Sequence, residues 1–286
     1  MLMILLALGA ALLFGLGLLV GEQGLRHLRP LPGACISVSA ATVLFLLLVP
    51  LLVDFGEWDG RSAGIFTLTG LLFPGTVTLL TFQANSRIGP NLTGTLGNLA
   101  PVFAVALAYL LLGEAISPRR GVALLVIVAG VVLLYRTPRA TRLRGFHWAF
   151  LLPLGAAFIR GMVQPLAKTG LAGWPNPFAA AAIGYGLSAC ELLSVGVVSA
   201  RGWPVGFSRP GWLLFSAVGF CNGLAVVCLY GALALGPVTL VAPLVACYPL
   251  ATLGFGLWWK GTAGLTGPAL LGTGFTVAGV IWLLAG

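Results

Sequence analysis

A chain of 286 residues that is 59% hydrophobic and only 7% charged cannot expose that surface to water, so its solvent is lipid and no room is left for a separate soluble domain. Its net charge of +9, from 15 basic and 6 acidic residues, is scattered singly or in short groups. That distribution fits loops that set membrane topology and excludes the basic, aromatic-rich stripe of a nucleic-acid surface.

The first apolar run, 1–20, has no basic leader and is followed by Gly21-Glu22-Gln23 rather than a small-residue cleavage site. The expectation is a retained span. Further apolar runs follow, and the spans they predict lie near 2–21, 33–53, 63–85, 90–112, 119–135, 146–168, 177–200, 211–233, 236–259 and 266–285. Each approaches the roughly 20 residues that a bilayer demands. Short connectors rich in Gly, Pro and charge separate them, among them Arg29-Pro30-Leu31-Pro32 and Gly173-Trp174-Pro175-Asn176-Pro177. The longest basic connector, from Arg136 to Arg144, divides the chain into halves 1–135 and 146–286 around a linker at 136–145.

The halves echo one another. Gly89-Pro90 answers to Gly236-Pro237, Pro101 to Pro249 after a one-residue slip, and Ala129-Gly130-Val131 to Ala278-Gly279-Val280. Five spans per half is an odd number, so the second half must enter the membrane upside down. The predicted fold is therefore an all-α integral membrane protein of ten transmembrane helices in two inverted five-helix repeats, the architecture of carriers that alternate access to a midplane site. Pro74, Pro101, Pro153, Pro165, Pro243 and Pro249 lie well inside spans and are expected to kink them. Gly70 with Gly75, Gly94 with Gly97, and the series Gly267, Gly272, Gly274 and Gly279 are expected to form close-packed helix faces.

The pattern Ile88-Gly89-Pro90-Asn91, then Asn98-Leu99-Ala100-Pro101-Val102-Phe103, Leu112-Gly113-Glu114, Gly121 and Ala129-Gly130-Val131 resembles the EamA-type repeat of the drug/metabolite transporter superfamily. The resemblance covers nearly the whole chain. It implies ten helices in two such repeats, and the export of amino acids or other small metabolites across a bacterial inner membrane. Glu114 matches the family glutamate, and its position at the end of a span suggests helix-end capping or a contact to the next connector rather than proton transfer, whereas Trp259-Lys260 stands where the second copy usually has Gly-Glu. Small multidrug relatives carry a proton-exchanging carboxylate in the middle of the first helix. Positions 2–20 hold no acid here, which argues against that mode of transport.

Polar residues within spans are costly and therefore informative. Asn91, Thr95 and Asn98 share one face of the fourth span, either lining a cavity or forming a seam of interhelical hydrogen bonds. Thr78, Phe82 and Asn85, with Gln83 nearby, form a facing stripe in the third span. Arg160, Gln164 and Lys168 recur at helical spacing in the sixth beside Pro165. Arg160 either pairs with Glu191, the one acid deep in a span, or offers its fork of donors to a substrate carboxylate. Glu191 is a candidate ion-pair partner or proton carrier. Asn222, Tyr230 and Tyr248 complete the candidate cavity lining, Tyr248 because it stands nearly where Ala100 stands in the first copy. Tyr135, Trp148, Trp203, Trp212 and Trp282 are read as interface anchors.

Cys35, Cys190, Cys221, Cys228 and Cys247 lie inside apolar runs without CxxC spacing and are read as small buried hydrophobes. The sequence carries no phosphate-binding loop, HExxH or Gly-x-Ser-x-Gly, so neither an enzyme nor a cofactor or metal site is expected. The expected partners are a small-molecule substrate and the lipid bilayer, with monomer and homodimer both open. Solutes other than amino acids (a sugar, nucleotide precursor, lipid-linked sugar or cation) and a non-transporting membrane scaffold are the alternatives. With the N-terminus inside, inner connectors would hold Arg61, Arg119, Arg120 and Lys168, and outer ones Arg26, Arg29, Arg87, Arg136, Arg139, Arg142, Arg144, Arg201, Arg209 and Lys260. The positive-inside rule thus favours both termini outside, while the resemblance implies both inside.

Overall fold

The structure, a computed structural model, describes residues 1–88, 93, 96–134, 148–199, 208–260 and 267–284. These form helices α1 (Leu2–Gly24), α2 (Pro30–Leu52), α3 (Gly60–Leu72), α4 (Gly75–Ile88), α5 (Ala100–Leu112), α6 (Pro118–Leu134), α7 (Leu151–Gly173), α8 (Pro177–Ser199), α9 (Arg209–Leu235), α10 (Val238–Val245), α11 (Tyr248–Lys260) and α12 (Gly267–Leu284), with no strand among the described residues. Among the described residues, seven helices or helix pairs are long and apolar enough to cross a bilayer, and Ala100–Leu112 and Leu270–Leu284 are shorter apolar helices. Lipid as the solvent explains why Leu47, Leu51, Leu110 and Val198 all turn outward.

Local chemistry sets the helix ends. Pro30, Pro118 and Pro177 open α2, α6 and α8, where the missing N–H costs nothing. Asp59 caps α3 by accepting from Ser62 N at 2.8 Å, and Asn176 caps α8 by accepting from Ala179 N at 2.8 Å. The Ser62 hydroxyl, which also donates to Asp59 at 2.5 Å, and the Ser62 N–H hold the Asp59 carboxyl below the usual aspartate range. Gly113, at φ 66°, ends α5 in the left-handed conformation that glycine adopts without penalty.

Three expected spans are interrupted. Phe73-Pro74 separates α3 from α4. The fourth breaks at Asn98-Leu99 and the ninth at Ala246-Cys247, each just before a helix whose second residue is proline, Pro101 or Pro249. Neither proline can donate to the carbonyl four residues back, so the chain tightens into three-residue turns at the same places. Leu99 N bonds Leu96 O at 3.2 Å and Val102 N bonds Leu99 O at 3.0 Å; Cys247 N bonds Leu244 O at 3.2 Å and Leu250 N bonds Cys247 O at 2.9 Å. Pro165 and Pro243, by contrast, sit within continuous helices, and Pro153 lies in the first turn of α7.

Small residues bring the helices together, as expected where lipid removes any hydrophobic drive between them. Ala7, Ala10, Ala104, Ala108, Ala180, Ala225 and Ala232 are fully buried. The glycine contacts match between the halves. A β-carbon on Gly15 would stand 2.6 Å from Ala251 Cβ, 2.8 Å from Tyr248 O and 2.9 Å from Thr252 N. One on Gly161 would stand 2.6 Å from Phe103 Cβ and 2.8 Å from both Ala100 O and Ala104 N. Each broken helix is thus held at the start of its second piece by a glycine of the other half. Likewise Gly130 abuts Gly272 and Thr276, while Gly279 abuts Ala123 and Ile127. Gly70 and Gly75 are packed as expected, against Gly184 and Glu191, but Gly97, Gly267 and Gly274 face open space; Gly94 lies outside the described residues.

Contacts between helix ends fall into two groups. In one, Met3 touches Gly236, Asn176 Nδ2 donates to Leu52 O at 3.1 Å, and the rings of Trp58 and Trp174 meet at 5.1 Å. In the other, Leu28 packs on Gly211 and Arg87 lies 4.1 Å over the Trp148 ring. Trp148, Trp212 and Trp282 are exposed as anchors should be; Tyr135 and Trp203 lie outside the described residues. All five cysteines are free, with Cys35 and Cys247 buried, Cys221 and Cys228 half-buried, and Cys190 exposed, contrary to its expected burial.

Candidate functional site

The two helix breaks meet. Tyr248, the first residue of α11, donates its hydroxyl to Asn98 Oδ1 at 3.1 Å. Asn98 is only 4% exposed, and its Nδ2 has no hydrogen-bond partner among the described residues. On α7, Gly161 presses against Ala100, and Gln164, one turn on, is buried with Oε1 unpartnered. Arg160 is half-buried next to Gly161 and makes no ion pair with any described residue. Among the described residues, the seam therefore retains an amide donor and an amide acceptor without partners, and a guanidinium without an ion pair, within an apolar bundle. Buried polar atoms without partners are expensive, and their persistence at one locus is what a ligand-binding site requires.

Other expected members are placed elsewhere. Thr78 donates its hydroxyl to Pro74 O at 2.8 Å, satisfying its own helix rather than a cavity. Asn222 faces Gly17 at the α1–α9 contact, and Tyr230 is buried beside Thr69 in the core. Gln83 is exposed. Asn91 and Thr95 lie outside the described residues, as do the side chains of Phe82 and Asn85.

The expected Arg160–Glu191 pair does not form. Glu191 Oε1 lies instead in hydrogen-bond contact with Thr76 Oγ1, at 2.7 Å at the start of α4, and Oε2 is buried without a partner among the described residues. Lys168, grouped with Arg160 by spacing, turns away to Glu114 Oε1 at 3.4 Å and to the Gly236 carbonyl. Glu114 accepts from Val238 N and Thr239 N, each at 2.9 Å, and so caps α10 of the other half. A carboxylate at a helix N-terminus is stabilised by the exposed N–H groups and the helix dipole, so the capping expected of Glu114 is realised across the halves. Sequence reasoning missed Ser188 and Thr76. Ser188 and Glu191, three apart on α8, share a helix face, and that spacing was the available signal.

A separate cavity of about 450 Å³ lies between α2, α8 and α9, lined by groups such as Leu44, Leu47, Leu193 and Phe220. Its lining is almost wholly apolar, which suits hydrocarbon rather than a polar solute.

No curated protein matches the chain. A solved crystal structure of another protein aligns over 98% of this chain and 95% of its own, with a TM-score of 0.77 at 16% identity, so the fold is shared. Residues 1–136 match the EamA-like transporter family. These residues hold the first broken helix, its proline and the capping Glu114, so the first half of the chain carries an EamA-like transporter domain, consistent with an EamA-type member of the drug/metabolite transporter superfamily, and the apolar helices make the chain an integral multi-pass membrane protein.

Proposed function

We propose that the protein is a secondary transporter that moves a small polar metabolite by alternating access, with amino-acid export across the bacterial inner membrane as the specific activity. The observation that carries this reading is the bond between Asn98 and Tyr248 at the meeting of the two broken helices, with Asn98 Nδ2 and Gln164 Oε1 buried and unpaired around it. A free N–H donor suits a carboxylate, a free carbonyl suits an ammonium, and Arg160 adds a charge-assisted donor for the former. An amino-acid zwitterion carries both groups.

Ten spans in two inverted repeats account for the contacts between helix ends. In an alternating chain the ends of the second, fourth, sixth and eighth spans share one side, and these ends bring together Leu52, Glu114, Lys168 and Gly236. The matched contacts of Gly15 and Gly161 then act as pivots for the two halves.

Asn98→Ala should lower amino-acid flux into proteoliposomes roughly 10-fold or more, the loss of one hydrogen bond to a charged group of about 1.5–3 kcal/mol. Arg160→Gln should lower flux of carboxylated solutes while leaving the fold intact. Unchanged flux in both well-folded variants, or no flux of any amino acid through the wild type, would sink the reading.

We place both termini outside the cytoplasm on the count of basic residues. The side bearing the N-terminus holds four connector bases, Arg61, Arg119, Arg120 and Lys168, the last of them held by Glu114. The opposite side has the ten remaining connector bases and becomes the cytoplasmic one. A reporter active only outside the cytoplasm, fused at Gly286, should be active; an inactive fusion reverses the orientation.

A further inference from the structure

The joint between α3 and α4 is stitched to α8 by side chains, and counting its protons leads to a second site. Ser188 Oγ accepts from Gly75 N at 3.0 Å and donates to Gly70 O at 2.7 Å, which uses its single hydrogen. Thr76 Oγ1 lies 2.9 Å from Leu71 O and 2.7 Å from Glu191 Oε1. A threonine hydroxyl has one hydrogen. If Glu191 were a carboxylate, both neighbours of Thr76 would be acceptors, and one of these short contacts would have no proton between its oxygens. A protonated Glu191 removes the conflict: the carboxyl donates to Thr76, and Thr76 donates to Leu71 O.

The surroundings agree. Glu191 Oε2 is buried without a partner, and no Lys, Arg or His among the described residues lies within ion-pair distance of the carboxyl. The N-terminus of α4 would favour an anion, yet no backbone N–H reaches Oε2. Each packed element leaves the site without a counter-charge. On α2 the ionisable group is Cys35, which donates to Leu192 O at 3.4 Å. On α3 it is Arg61 in the first turn, at the far end of that helix. On α4 it is Arg87, placed over Trp148, and on α7 the cations are Arg160, unpaired with Glu191, and Lys168, held by Glu114. On α9 they are Arg209 in the first turn, Cys221, Cys228 and Tyr230, with Tyr185 buried on α8 itself. A bare ionised oxygen in such a setting is costly.

We infer that Glu191 is a proton-binding site, neutral while the α3–α4 joint is closed on α8. When the joint opens to water the carboxyl O–H bond breaks, the proton passes to water and a carboxylate remains. On the transport reading above, this couples solute movement to a proton.

The test is the infrared spectrum of the purified protein at neutral pH. The chain has six acidic residues, and Glu22, Asp54, Glu57, Asp59 and Glu114 lie at helix ends or connectors. A protonated-carboxyl C=O stretch should therefore be present in the wild type, shifted in Glu191→Asp and absent in Glu191→Gln. Its absence from the wild type, or its survival in Glu191→Gln, overturns the assignment. In proteoliposomes loaded with amino acids, an imposed pH gradient should drive flux through the wild type and not through Glu191→Gln; equal driving of both overturns the coupling. If nothing moves in any vesicle, the transport reading fails, and the infrared band still decides the proton site.

Discussion

Replacing Glu114 by alanine should destabilise the detergent-solubilised protein by about 3 kcal/mol, read from its unfolding midpoint. The carboxylate is 12% exposed and does three things: it accepts from Val238 N and Thr239 N at 2.9 Å each, and it holds Lys168, itself 28% exposed, at 3.4 Å. Truncation strips α10 of its cap and leaves an ammonium without its counter-ion. Lys168→Met should cost less, because both backbone N–H groups keep their acceptor. The double variant Glu114→Ala with Lys168→Met should recover part of the loss by removing the stranded charge, a coupling of about 1 kcal/mol. If Glu114→Ala unfolds at the wild-type midpoint, the contact between α5 and α10 contributes nothing to the fold.

Valine at Gly161, or at Gly15, should abolish flux and also cost about 1–3 kcal/mol of stability. The clash in each case is with main chain, Ala100 O and Ala104 N for Gly161 and Tyr248 O and Thr252 N for Gly15, each 2.8–2.9 Å from the added β-carbon. Backbone cannot rotate away as a side-chain tip can, so the second piece of the broken helix must shift, and with it Asn98 or Tyr248. Gly97→Ala is the control: it sits beside the same break but faces open space, and its stability should stay near that of the wild type. Valine variants that transport and unfold normally would show that these contacts are not pivots.

Composition by itself determined the solvent, and with it the secondary structure, because in lipid the backbone of a lone segment can satisfy its polar groups only as a helix. Prolines also spoke locally. Pro101 and Pro249 mark helix breaks in the sequence because the missing N–H acts on the residue's own chain, and Glu114 could be expected to cap a helix end because it stands at the end of a span and matches the family glutamate. The echo of Gly130 in Gly279 likewise survived into matched contacts.

Tertiary structure alone decided which polar groups meet. Arg160 and Glu191 were the obvious pair by charge, yet Glu191 went to Thr76 and Lys168 to Glu114. Helical periodicity gives the face of a residue within its own segment. It does not give the rotation and axial offset between segments 115 residues apart in sequence, as Thr76 and Glu191 are. Those offsets come from how closely glycines let backbones approach, a property of both surfaces at once. For the same reason Tyr248 could be expected near a cavity, but its bond to Asn98 across the halves could be seen only after folding.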